Sequence, residues 1–138
     1  MGRAGDRNEI SCCHGVPCNR ILALEPYMPE TAPPARVVLT TAANPDEAAR
    51  MGRTLVEERL VACATLIPGV ESIYRWKGKV ESSTETLVLL KIGPGPISAL
   101  EARLHQLLSY QTPEFLVLQV DAASQPYLDW LQESLHRP

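Results

Sequence analysis

The stretch 61–92, VACATLIPGVESIYRWKGKVESSTETLVLLKI, restricts what this chain can fold into more than any other. Ala62, Ala64 and Leu66 alternate with Cys63, Thr65 and Ile67. The alternation resumes after Pro68-Gly69, with Ile73 and Arg75 against Tyr74 and Trp76, and returns with Leu87 and Leu89 against Val88 and Leu90. Period two is the strand pattern. Lys77-Gly78 stands where a two-residue turn closes a hairpin, and Gly78 supplies the positive φ that such turns require. Each arm holds about 15 residues, roughly 50 Å at the strand rise, against about 5–6 residues for an ordinary strand. A sheet in a domain this small cannot cover such a hairpin. Its tip must bend, project, or pair with another chain. Pro68-Gly69 is the expected bend, because proline cannot donate to a ladder and glycine marks bulges.

At 138 residues, 45% of them hydrophobic, the chain supports one domain with a real core. A formal net charge of -3 argues against a nucleic-acid partner, which selects a basic excess. No apolar run approaches the ~20 residues of a membrane span, and the first residues lack an apolar signal-peptide core. The expectation is a cytoplasmic protein with neither membrane nor nucleic-acid partner. Four cysteines, three of them clustered, do not make a secreted disulfide framework.

Residues 1–35 read as a flexible tail, interrupted by Pro17, Pro26, Pro29, Pro33 and Pro34, and Met28 offers an alternative start. The tail carries Cys12, Cys13, His14 and Cys18, soft donors suited to zinc or copper. Their spacing matches no closed structural site, so reactive thiols in an unstructured tail are expected. The foldable domain is 36–138. Residues 36–42 form a first, central strand. Asn44 caps a helix, Pro45 suits its first position, and Asp46 and Glu47 favour its dipole. Ala48, Met51, Gly52, Leu55 and Val56 make its packed face, and Glu57, Glu58 and Arg59 its solvated one. A second helix follows the glycine-proline run 93–96, with the stripe Ile97, Leu100, Leu104, Leu107 and Leu108. Residues 114–121 form a strand, and Pro126 opens a last helix carrying Tyr127, Trp130, Leu131 and Leu135. The order β-α-β-β-α-β-α implies an α+β fold, a ferredoxin-like α/β sandwich with a long central hairpin.

The motifs LVEERLVACATLIPG at 55–69, SIYRWKGKVE at 72–81, YQTPE at 110–114 and YLDWL at 127–131 resemble the CutA family of divalent-cation tolerance proteins. The resemblance spans about residues 37 to 135. It implies a ferredoxin-like fold and a homotrimer whose hairpins pair across subunits. It also implies binding of copper or another divalent cation, with no established catalysis and no required cofactor. Cys63 stands where the family has a cysteine in its second strand, and Thr40 where some members have another. Leu108 and Ser109 stand where many members read His-Pro before Tyr110, while Glu114 matches. The implied metal ligands are therefore Cys63 and Glu114. Leucine cannot ligate a metal, so weak Cu(II) binding is expected in the core, and any tight copper binding is expected to belong to Cys12, Cys13, His14 and Cys18 as Cu(I).

The family also shares a cleft between subunits, whose pattern is matched here by Tyr74, Trp76, Glu85, Lys91, Tyr110, Glu114 and Trp130. As a binding site it offers aromatic walls with a few polar groups, the usual pocket chemistry for a small ligand or ion. As structure, the same aromatics fill a subunit interface, and Glu85 and Lys91 form an ion pair. Cys63 alone reads as a small core residue. Leu107 and Leu108 are either core or an apolar surface patch. His105 points to solvent and His136 lies in a fraying end. No Ser/His/Asp or Cys/His constellation and no Gly-rich phosphate loop can be assembled, so a non-enzymatic role is expected. The alternatives to divalent-cation tolerance are a trimeric small-molecule sensor resembling the PII signalling proteins, and a structural trimer that contacts a protein partner.

Overall fold

The computed structural model describes residues 34–137. The expected tail, with Cys12, Cys13, His14 and Cys18, lies outside the described residues apart from Pro34 and Ala35, and Ala35 is buried. The chain runs β1 (Arg36–Ala42), α1 (Pro45–Glu57), β2 (Cys63–Trp76), β3 (Lys79–Ile92), α2 (Ser98–Leu107), β4 (Leu116–Gln119) and α3 (Gln125–Leu135). The sheet order is β2-β3-β1-β4 and every pairing is antiparallel. This is the expected ferredoxin-like α+β sandwich, with β1 central. Only the last strand differs much from expectation: β4 has four residues where 114–121 were expected. Its ladder with β1 runs from Arg36↔Gln119 to Leu39↔Leu116, and Glu114 departs from the sheet to line a groove.

Helix α1 starts where its cap dictates. Asn44 Oδ1 accepts from Glu47 N at 2.9 Å, Pro45 occupies the first turn, and Glu47 Oε2 accepts from Ala43 N at 3.0 Å. Glu47 is buried, so it does more than complement the dipole: its Oε1 also accepts from Ser109 N beyond α2. Val56, expected on the packed face, is exposed, and Leu55 carries that turn of the core. Glu58 is not simply solvated, since its carboxylate takes a two-pronged hydrogen bond from Arg103 of α2.

Alternation separates the two faces of the sheet. Val38, Val88 and Leu90 face α1 and α2 and are buried with Met51, Leu55 and Leu104. Each such side chain stabilises the fold by about 1.5–3 kcal/mol. Leu108 is buried in the same cluster with Leu107 packed beside it, so this pair is core and not a surface patch. Helix α3 buries Leu128 and Leu131 against Ala35 and Ala62, with Leu135 partly packed. Tyr127 and Trp130 fall on the neighbouring helical stripe and are exposed. Among the described residues no helix lies over the centre of the opposite face of the sheet. Val37 and Leu39 of β1, Leu87 and Leu89 of β3 and Leu116 and Leu118 of β4 share it by register, half-buried or exposed.

The hairpin has two arms of 14 residues. Its ladder slips between Ile67 and Val70, at the expected Pro68-Gly69, with Gly69 at φ 71°. Lys77 (φ 46°) and Gly78 (φ 80°) close it in the doubly positive turn that matches strand twist. Beyond the bulge the hairpin projects, leaving Ile73 and Val80 70% and 65% exposed.

Two polar atoms are stranded in the core. The hydroxyls of Thr40 and Thr86 are fully buried and, among the described residues, have no hydrogen-bond partner. An unsatisfied buried hydroxyl costs about 1–3 kcal/mol. Thr86→Val keeps the shape and removes the hydroxyl, so urea denaturation is expected to show a gain of about 1 kcal/mol. A loss of stability would mean that the hydroxyl has a partner.

Candidate functional site

The bulge decides what the outer half of the hairpin presents. Between Ile67↔Leu87 and Val70↔Glu85, β2 spends three residues while β3 spends two. One extra residue reverses the parity of every side chain beyond it. Val70, Ser72, Tyr74 and Trp76 therefore share the face of Glu85, Ser83, Glu81 and Lys79, with Tyr74 opposite Glu81. That face is one wall of a groove of about 780 Å³. The other wall is the segment 110–114, between α2 and β4. A groove of this size accommodates a small organic molecule.

Two buried carboxylates hold the second wall. Glu47 of α1 accepts from Ser109 N, and Glu85 of β3 accepts from the Tyr110 hydroxyl at 2.5 Å. Glu85 is only 8% exposed, and among the described residues no guanidinium or ammonium pairs with it. Burial, the hydrogen bond to Glu85 and its negative charge all push the Tyr110 hydroxyl up, keeping it a donor. Burial and then the Glu85 charge hold Glu114 above the usual carboxylate range. The groove thus has an acidic floor short of positive charge: Glu81, Glu85 and Glu114 line it, against Arg75 alone.

Of the residues expected in the cleft, Tyr74, Trp76, Glu85, Tyr110 and Glu114 meet here. Within one chain Lys91 and Trp130 do not line this groove, and neither does Cys63, expected as a metal ligand. Lys91 lies opposite Cys63 across the ladder, donates to Thr65 Oγ1 and approaches the Leu89 carbonyl at 3.5 Å. Within one chain Glu85 and Lys91 stand six residues apart on β3, about 20 Å at the strand rise, and do not pair. Trp130 packs against Tyr127, ring centres 5.4 Å apart. Cys63 is half-buried, with Sγ 3.8 Å from Thr65 Oγ1. Cys63 and Glu114 thus sit at different places along β3 and do not meet within one chain. Among the described residues, no three His, Cys, Asp or Glu side chains are grouped to hold a metal. Glu81 and Glu47 were missed. Glu81 was legible from its alternation with Glu85; the second role of Glu47 depends on a contact 62 residues away.

The sandwich and the projecting hairpin define a ferredoxin-like α+β protein with an acidic groove. A family model described as "CutA1 divalent ion tolerance protein" matches residues 36–134, and the chain belongs to this family. Over 101 residues it is 44% identical to the divalent-cation tolerance protein CutA of Pectobacterium atrosepticum, covering 73% of this chain and 92% of that protein. It is 34% identical to "Protein CutA, chloroplastic" of Arabidopsis thaliana, covering 73% of this chain and 56% of that one. The crystal structure of CutA1 from Oryza sativa superposes with a TM-score of 0.73 at 31% identity, covering 78% of this chain and 98% of that chain. The Arabidopsis name places that relative in a chloroplast, so family membership leaves the cytoplasmic expectation open. Among the described residues no helix is long and apolar enough to cross a membrane.

Two outcomes follow from the groove's hydrogen bonds and charges. Tyr110→Phe removes the donor to a buried carboxylate and is expected to cost about 1–3 kcal/mol in chemical denaturation. An unchanged midpoint would show that Glu85 needs no such donor. Because the folded-state value of Glu114 is raised, its contribution to stability is fully present below the ordinary carboxylate range. It is lost as pH rises through the raised value. Glu114→Gln should therefore gain on the wild-type protein between about pH 4 and pH 7. Parallel pH profiles of thermal midpoint for the two proteins would contradict this.

Proposed function

We propose that the protein is a non-enzymatic homotrimer that binds divalent cations, with Glu85 and Glu114 of the groove as the ion's protein ligands. One observation carries the reading: Glu85 is a buried carboxylate in a groove that Glu114 also lines, and among the described residues no cationic side chain neutralises it. Burying an anion is costly unless it is paired, and a bound cation supplies the pair. Two carboxylates with further oxygen donors suit a hard ion that keeps part of its water shell. Copper is less well served, since Cys63, the thiol among the described residues, lies away from the groove. The family description, divalent ion tolerance, agrees with a cation as ligand.

The trimer is supported by exposed apolar surface. The open sheet face carries Leu116 and Leu118, and a hairpin longer than its own sheet can cover runs beyond it. Strands β2 and β4 are the two edges and have free backbone groups for pairing with another copy. The aromatic wall of the groove favours a second reading, in which a small organic ligand is the signal.

Light scattering is expected to give the mass of three chains, and Leu118→Glu on the open face is expected to lower it. Monomeric wild-type protein at micromolar concentration would rule out the trimer. Calorimetric titration with Mg²⁺, Ca²⁺ and Cu²⁺ should show binding that Glu85→Gln removes. A Glu85→Gln protein that binds as well as the wild type would move the site elsewhere.

A further inference from the structure

We infer that the groove takes cations carried on an aliphatic frame, specifically a di- or polyamine; this rests on the reading of the groove as a cation site. A hydrated metal ion uses only the carboxylate end of the groove. The rest of the wall is aromatic and is left unexplained by it. Tyr74 and Trp76 line the groove, each 40% exposed, and among the described residues neither packs on another ring. Exposed aromatic faces attract ammonium groups and pack well on methylene chains.

The carboxylates are also spaced for more than one charge. Glu85, which accepts from the Tyr110 hydroxyl, and Glu114, on the same wall segment as Tyr110, line the groove together. Glu81 lies on the same face of β3, four residues toward the tip, about 13 Å away at the strand rise, with Tyr74 directly across the ladder. The groove therefore has two acidic points joined by a wall on which methylenes can lie. The one guanidinium that lines it, Arg75, is drawn to the turn, where it donates to the Gly78 carbonyl at 3.4 Å. An extended linear amine places one ammonium between Glu85 and Glu114. Its other ammonium reaches Glu81 beneath Tyr74 and Trp76, and its methylenes cover the strand between. A monoamine reaches only one of the two points, and an organic anion meets like charge at both.

The test is calorimetric titration of the full-length protein with spermidine, propylamine and Mg²⁺. Trp76→Leu and Glu81→Gln serve as variants; both positions are exposed and outside the core, so the fold is not at risk. Spermidine is expected to bind more tightly than propylamine. Each variant should weaken spermidine about fivefold, the scale of an exposed cation–π contact or more, and Trp76→Leu should leave Mg²⁺ unchanged. If Mg²⁺ binds and requires Glu85, but spermidine fails to bind or ignores both substitutions, the polyamine inference is overturned and the divalent-cation reading stands. If spermidine binds as expected and Mg²⁺ does not, the organic ligand stands and the metal reading falls. If neither binds, both fall.

Discussion

The extra residue at Pro68-Gly69 is the constraint on which the site depends. Antiparallel pairing alone would carry the inner parity of β2 out to its tip. Tyr74 and Trp76 would then lie on the side of Ala64 and Leu66, with Ile73 and Arg75 facing Glu85. The bulge reverses this within one step of the ladder. Proline withdraws a donor and Gly69 accepts a positive φ, so the slip is placed where it leaves few groups unsatisfied.

What the bulge supplies on one side, two carboxylates match on the other. Glu47 and Glu85 come from different elements and grip successive residues, Ser109 by its backbone and Tyr110 by its hydroxyl. The segment from Ser109 to Glu114 has no regular secondary structure. Its position is set by charge-assisted hydrogen bonds in a site of low dielectric, where such bonds are strong. The same low dielectric disfavours a second negative charge at Glu114 and makes a cation welcome. Positioning the wall and the proposed affinity for a cation thus rest on one electrostatic arrangement.

The chain folds around one face of its sheet and leaves the other apolar and open. Helices α1 and α2 satisfy Val38, Val88 and Leu90, while Val37, Leu39, Leu87 and Leu89 have no such cover. A monomer with this surface would be poorly soluble, and self-association is the economical way to bury it. The proposed trimer and the proposed site are therefore linked, because both use the face that α1 and α2 leave uncovered.

Element order, the hairpin, its turn and its bulge were legible in the sequence, because alternation, Lys77-Gly78 and Pro68-Gly69 act locally. The helix stripes were legible for the same reason, down to Leu100, Leu104 and Leu108, although the true inward stripe of α3 competes with an equally periodic aromatic one. Five of the cleft residues could be named from motifs. Which of them meet was a different matter. Within one chain Lys91 and Glu85 share a strand face yet lie too far apart to pair, Cys63 and Glu114 do not meet, and the second hydrogen bond of Glu47 spans 62 residues. Local pattern specifies conformation, since φ, ψ and burial respond to near neighbours. Distance between residues remote in sequence depends on register and on how the segment after α2 folds back, and only the tertiary structure decides that.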